Sequence, residues 1–189
     1  MKAVPVAAIH GAYLFEPTPV ADARGFFCRT FDRELVRAAG IDPDGFIQDS
    51  VSRSHRGVLR GMHLRSGLGE AKLVRCSYGS IFDVAVDLRL DSPTYRNQTR
   101  ITLTDETQAS LYLPAGCAHG FQVLSEVADV TYRIDREHDP AEDIAIAFDD
   151  PELAIPWPVP VTEMSRRDRE ASSLKDACAA LDMTLTERK

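Results

Sequence analysis

Phe82-Asp-Val-Ala-Val-Asp-Leu88 is the stretch that decides the fold class. Its larger apolar side chains fall on one face of an extended chain, and Asp83, Ala85 and Asp87 fall on the other. That is the period of two expected of a strand in a sheet with one apolar face. Working outward, residues 46–54, 57–64, 72–78, 81–88, 100–104, 110–113, 120–124 and 127–134 share its texture: short, rich in β-branched or aromatic side chains, and bounded by turn residues. So many short, evenly spaced strands predict a sandwich or barrel. Helices are few. Asp32 is placed to cap a short helix over 33–39 that Gly40 stops. Two more are expected near the C-terminus, at 165–170 and at 173–181, the second with Leu174, Cys178 and Leu181 on one stripe. Pro156-Trp-Pro-Val-Pro160 reads as a stiff extended connector feeding this tail back across the barrel, and 184–189 are expected to fray.

The 189 residues fit one domain, 1–189, with a core over about 22–168 and a helical tail over 165–183. The formal charge is −7, from 22 Lys and Arg against 29 Asp and Glu, which argues against wrapping nucleic acid. Cys28, Cys76, Cys117 and Cys178 are scattered without a C-x-x-C pair, so they suggest reduced thiols rather than a zinc site or a disulfide framework. The apolar run near Met1 is short for a signal peptide, and no stretch approaches the ~20 apolar residues of a membrane span. A cytoplasmic protein without membrane contact is the expectation.

Three places carry residues able to do chemistry. Gly57-Val-Leu-Arg-Gly-Met-His63 puts Arg60 near His63. Leu113-Pro-Ala-Gly-Cys-Ala-His-Gly-Phe121 is a tight turn feeding a strand that opens with His119, and Ser165-Arg-Arg-Asp168 is a charged helix start. Taken singly, each has a plain explanation: a barrel histidine is more often structural, Lys72 alone reads as a solvated strand residue, and Asp168 alone as a helix cap. Several histidines and arginines on strands facing inward change the balance, because charged side chains inside a barrel imply a wet pocket.

These segments, with Lys72-Leu-Val, Asp83-Val-Ala-Val-Asp-Leu-Arg89, Ser92-Pro-Thr-Tyr95 and Asp150-Pro151, resemble the dTDP-4-dehydrorhamnose 3,5-epimerase family from about Asp22 to Asp168. The resemblance implies an all-β double-stranded β-helix (cupin or jelly-roll barrel), a homodimer with a swapped N-terminal strand over 4–15, and no cofactor or catalytic metal. It further implies epimerisation at C3, C5 or both of a nucleotide-diphosphate-linked 4-keto-6-deoxyhexose. His63 would be the base, Asp168 the carboxylate that orients it, Lys72 the stabiliser of the enolate, and Tyr132 the acid on the opposite face. Arg24, Arg60, His119, Arg167 and Gln48 would hold substrate.

The chain also departs from the family pattern. Arg29 stands where the family has glutamate, Ser50 where it has asparagine, His138 where a tyrosine stacks on thymine, Asp143 where it has glutamate, and Arg65 where it has glutamine. Glutamate to arginine reverses charge and exchanges acceptors for donors. Unchanged chemistry with altered base recognition is the reading, and a substrate other than the standard dTDP sugar, either another nucleotide or a differently decorated hexose, follows as an expectation. Two competing functions remain at this stage. A metal-dependent cupin would need a ligand set such as His63, Glu70 and His119. A non-catalytic sugar-nucleotide binder would have no use for a base and an acid on opposite faces.

Overall fold

The structure, a computed structural model, describes residues 1–186. Two antiparallel sheets face each other. One runs, in spatial order, β1 (Lys2–Pro5), β2 (Tyr13–Glu16), β10 (Ser110–Leu113), β7 (Lys72–Tyr78), β12 (Val127–Ile134) and β5 (Gln48–His55). The other runs β13 (Asp143–Ala145), β6 (Leu59–Arg65), β11 (Cys117–Val123), β8 (Ser80–Asp87) and β9 (Gln98–Thr104). A hairpin of β3 (Val20–Asp22) and β4 (Gly25–Phe27) stands apart from both, every residue exposed. Two facing sheets satisfy the sandwich or barrel expected from the strand count, and their order is the jelly roll that the resemblance implies.

Apolar side chains sort into three layers. Val74, Cys76, Leu111, Leu113, Ala128 and Val130 of the first sheet meet Ile81, Ala85, Leu103, Cys117, Phe121 and Val123 of the second inside the barrel. The outer face of the second sheet packs Met62, Leu64, Val84, Val86 and Leu88 against Leu153, Ile155, Leu174 and Ala177 of the C-terminal segment. The outer face of the first sheet packs Phe15 and Leu73 against Val36 and Ile41 around α1 (Arg33–Ala38), which Asp32 caps by accepting from the N–H groups of Glu34 and Leu35.

This arrangement corrects the one-apolar-face reading of β8. Its larger apolar residues point out of the barrel, under the tail, and Asp83, Ala85 and Asp87 point in, so both faces are buried. The alternation was legible, but which face meets the barrel depends on the covering tail. Trp157, in the proline connector, closes that cover by donating to the Phe148 carbonyl at 2.8 Å and packing edge-on to Phe82. The tail helices are α2 (Arg166–Arg169) and α3 (Leu174–Thr186); α3 runs past the expected end, and the fraying expected over 184–189 falls in part on 187–189, outside the described residues.

Residues 4–15 are not one strand. β1 and β2 form a hairpin, and β2 pairs with β10 of the same chain. The turn is held from outside: Arg89 donates to the His10 carbonyl at 2.7 Å, and the His10 N–H donates to Thr94 Oγ1 at 2.8 Å. Asp87, fully buried, collects Arg89 Nε at 2.8 Å, Arg89 Nη2 at 2.7 Å, Ser92 Oγ at 2.5 Å and Thr94 Oγ1 at 2.7 Å. Burial opposes ionisation of Asp87, but Arg89 and the two hydroxyls outweigh it and pull the carboxyl down to about 2.

A carboxyl depressed below its unfolded value contributes stability that is present above about pH 4 and lost as pH falls toward 2. Asp87→Asn is therefore expected to cost roughly 2–3 kcal/mol at neutral pH and to lower Tm by roughly 4–10 °C. In thermal melts, the variant's Tm should fall less steeply than the wild type's between pH 4 and pH 2.

Candidate active site

Arg60 and His63 lie three residues apart, which in an unbroken strand places them on opposite faces. Register between β6 and β11 removes the conflict. His119 lies opposite His63 and Phe121 opposite Arg60, so two residues of β6, Gly61 and Met62, face one of β11, Gly120. An extra residue of this kind re-aims side chains, and both Arg60 and His63 line one cavity. Neither glycine has room for a side chain. A Cβ on Gly61 (φ +129) would sit 2.5 Å from Gly120 Cα, and one on Gly120 would meet Met62 Sδ at 2.7 Å.

The cavity holds about 420 Å³ between the sheets. From the second sheet it is lined by Arg60, His63, Arg65, His119 and Phe121, and from the first by Gln48, Ser50, Ser52, Lys72, Tyr132 and Ile134. Gln48, Ser50 and Ser52 alternate along β5 with the outward Asp49 and Val51, the expected period of two. His138, Asp143 and Arg167 complete one rim.

His63 Nε2 lies 2.7 Å from Asp168 Oδ1, leaving Nδ1 as the ring nitrogen not engaged by the carboxylate. Asp168 is 3% exposed and sits in the first turn of α2, where its N–H donates to the capping Ser165 Oγ at 3.1 Å. Burial works against the Asp168 carboxylate, but the hydrogen bond and charge of His63, with the Gly61 N–H and Ser165, outweigh it and hold the group below the usual carboxylate range. An imidazole backed by such a carboxylate can accept a proton and keep it. Across the barrel, burial pushes the Tyr132 hydroxyl far up, an effect that neighbouring Ser52 offsets only in part. Tyr132 therefore keeps its proton at neutral pH.

His119 is a second imidazole–carboxylate pair: its Nε2 lies 2.8 Å from Oδ2 of the fully buried Asp83, and its ring meets Tyr132 edge-on at 6.3 Å. On the rim, Arg167 pairs with Asp143 at 2.6 Å, and Arg65 contacts His138 and Glu70.

The structure thus gathers His63, Lys72, Tyr132, Gln48, Ser50, Arg60, His119, His138, Asp143 and Arg167 around one cavity, with Asp168 behind His63. Arg24 and Arg29 lie elsewhere. Arg24 forks onto Asp22 at the tip of the β3–β4 hairpin, and Arg29 pairs with Asp32 beside α1. Residues unassigned to the site in the sequence include Ser52, Phe121 and Ile134 of the lining, Asp83, whose signal was its place on the inward face of β8, and Glu70, considered only as a metal ligand. Among the described residues no three His, Cys, Asp or Glu side chains converge as a ligand set. His63 and His119 each face a carboxylate, and Glu70 faces two cations, so these residues do not fit a metal centre.

A profile of the dTDP-4-dehydrorhamnose 3,5-epimerase family matches residues 6–176. The Pseudomonas aeruginosa protein of that name is 42% identical over 178 residues, covering 94% of this chain and 98% of the relative. A dTDP-4-dehydrorhamnose 3-epimerase from Streptomyces niveus is 38% identical over 170 residues, covering 89% of this chain and 82% of the relative. Among solved structures, the dTDP-6-deoxy-D-glucose-3,5-epimerase of Legionella pneumophila, in complex with dTDP-4-keto-L-rhamnose, superposes with a TM-score of 0.88 at 38% identity, covering 95% of this chain and 96% of that one. Fold and relatives define a carbohydrate epimerase, an isomerase built on a cupin-like jelly roll. The chain belongs to the dTDP-4-dehydrorhamnose 3,5-epimerase family.

The Gly61–Gly120 contact makes a structural prediction. Gly61→Ala forces a backbone clash at a left-handed φ and should cost roughly 3–5 kcal/mol in denaturant unfolding. Gly45→Ala, whose Cβ would meet nothing closer than 3.5 Å, should stay within about 1 kcal/mol of wild type.

Proposed function

We propose that this chain inverts C3 and C5 of a dTDP-linked 4-keto-6-deoxyhexose. The observation that carries the reading is His63 of one sheet, 2.7 Å from Asp168 of α2 and sharing a cavity with Tyr132 of the other sheet. Hydrogens on C3 and C5 flank the C4 ketone, so removing either gives an enolate. His63 Nδ1 takes the proton, and the resulting imidazolium is stabilised by the buried Asp168. Lys72, beside the carbonyl oxygen, balances the charge that gathers there. Tyr132, protonated at rest, returns a proton to carbon from the opposite face. Such a positioned acid or base contributes typically 10²–10⁴-fold.

Arg60 and Arg167 suit a diphosphate because the guanidinium fork forms paired, charge-assisted bonds to its oxygens. His138 and Asp143 face the nucleotide side. The relatives' names favour dTDP over the other nucleotide expected from the rim substitutions. The single-carbon relative from Streptomyces niveus makes inversion at C3 alone the alternative outcome.

A homodimer is part of the proposal. Phe26, Phe27 and Val20 of the β3–β4 hairpin are 54%, 78% and 69% exposed, and Val51 on the edge strand β5 is 67% exposed. A second copy covering this apolar hairpin would bring Arg24 near another cavity and reconcile its expected role with its position. A cytoplasmic location accords with four free cysteines, and no helix among the described residues is long and apolar enough to cross a membrane.

Incubating the protein in D₂O with a dTDP-4-keto-6-deoxyhexose should place deuterium at C3 and C5. His63→Ala should reduce exchange by about 10²–10⁴-fold. Tyr132→Phe should keep His63-dependent exchange while formation of inverted product falls by a similar roughly 10²–10⁴-fold factor. No incorporation by the wild type would leave a sugar-nucleotide binder. Phe27→Arg should halve the mass seen by sedimentation, and a wild-type monomer would refute the dimer.

A further inference from the structure

Arg65, Glu70 and Lys72 form a buried run of charge for which the proton transfers alone do not account. Their side chains are 6%, 9% and 12% exposed. Burying ionised groups costs several kcal/mol each unless their partners are well placed, so three at one end of the cavity impose a strict geometry. Glu70 serves two cations at once, with Oε2 2.9 Å from Arg65 Nε and Oε1 3.0 Å from Lys72 Nζ. The rest of the Arg65 fork is also engaged: Nη1 donates to the Glu137 carbonyl at 2.7 Å, and Nη2 lies 2.5 Å from His138 Nδ1. Asp143 Oδ1 stands further off, 3.6 Å from Arg65 Nε.

A guanidinium has no acceptor and does not lose its proton in a protein. While Arg65 holds His138, therefore, Nδ1 must present its lone pair and the ring proton must sit on Nε2, which lies 3.9 Å from Asp143 Oδ2. The rim imidazole then faces the cavity in one fixed tautomer. At the other end, the flexible lysine stem is aimed only by what its ammonium touches. Because Arg65 fixes Glu70 and shares its charge, the carboxylate steers Lys72 without fully cancelling it.

We propose that Arg65, clamped by Glu70, is a positioning residue that sets both the direction of the Lys72 ammonium and the tautomer of His138, joining the enolate end of the cavity to its nucleotide end. The Lys72 half rests on the epimerase reading above; the His138 half does not. Removing Arg65 alone leaves Glu70 wholly to Lys72 and draws the ammonium off the ketone. Removing Glu70 alone leaves two cations facing each other in a buried wall. Removing both charges relieves the imbalance of each single change, because the amide oxygen of Glu70→Gln can still accept from Lys72, while the His138 tautomer stays unfixed.

The test uses the full chain with Arg65→Gln, Glu70→Gln and the double variant. Steady-state kinetics on the dTDP-4-keto-6-deoxyhexose are read beside the imidazole ¹⁵N–¹H correlations of His138 at pH 8. Each single variant should lower kcat by about tenfold or more, and the double variant should recover to within about threefold of wild type, as coupled neighbours do. His138 should show the Nε2–H tautomer in the wild type and a mixture in Arg65→Gln. Should Arg65→Gln not fold, Arg65→Lys substitutes: it keeps charge without the fork and should still lose the fixed tautomer. Single variants within about twofold of wild type, losses that multiply in the double variant, or a His138 tautomer indifferent to Arg65 would each overturn the proposal. A wild type without deuterium exchange would sink the epimerase reading instead, and the His138 spectrum would then decide the clamp by itself.

Discussion

The close approach of two backbones, Gly61 of β6 against Gly120 of β11, is the constraint on which the site depends. With an ideal Cβ on Gly61 only 2.5 Å from Gly120 Cα, the strands can come this near only because neither residue has a side chain. That nearness allows the extra residue on β6, and the extra residue turns Arg60 and His63 to one side of the wall. The same stretch supplies the Gly61 N–H that approaches Asp168 Oδ2 at 3.5 Å. A local irregularity in an otherwise regular pleat therefore sets both the direction of His63 and the side of the barrel on which it meets its carboxylate.

What was legible in the sequence follows the reach of each interaction. Strands 72–78, 110–113 and 127–134 emerge within their expected bounds because alternation and β-branching are local properties. The cap at Asp32 is equally local and appears as read, whereas the tail helix is capped by Ser165, which accepts from Asp168, and not by Asp168 itself. Long-range facts were hidden. Nothing in Phe82–Leu88 says that a tail more than sixty residues later will cover its larger side chains and leave the aspartates inside. The N-terminal hairpin was missed for the same reason, since its turn is held by Arg89 and Thr94 from a distant connection. Of the site residues, those on barrel strands converge, whereas Arg24 and Arg29, on the hairpin and before α1, do not. Resemblance named the chemistry of Lys72 and Tyr132, which spacing alone would have left as strand residues.

Charge inside this barrel is arranged in pairs, and the pairing decides what each group can do. Asp168 with His63 and Asp83 with His119 repeat one motif on adjacent strands, His119 and His63 standing opposite each other in register. The pairs differ in access: the His63 side chain is 32% exposed and that of His119 5%. A proton acceptor must reach substrate, so the more open imidazole is the one suited to take a proton, while the enclosed one is suited to hold position. Among the described residues Asp83 Oδ1 has no hydrogen-bond partner, a cost that few buried carboxylates bear.

The tail gives the fold and the chemistry a common support. Leu153, Ile155, Leu174 and Ala177 cover the outer face of the second sheet, and between the two covering stretches the chain turns inward at Ser165 to carry Asp168 through to His63. Asp150 anchors the start of α3 by accepting the Leu174 N–H at 2.8 Å. The apolar contacts are what hold the carboxylate in place, because a four-residue helix has too few hydrogen bonds of its own to be stable. The carboxylate that pairs with His63 is thus delivered by a segment whose own stability comes from the far side of the sheet wall. Loosening that outer cover would take the Asp168 charge from His63 without touching any residue inside the cavity, so packing outside the barrel and the ion pairing within it are energetically coupled.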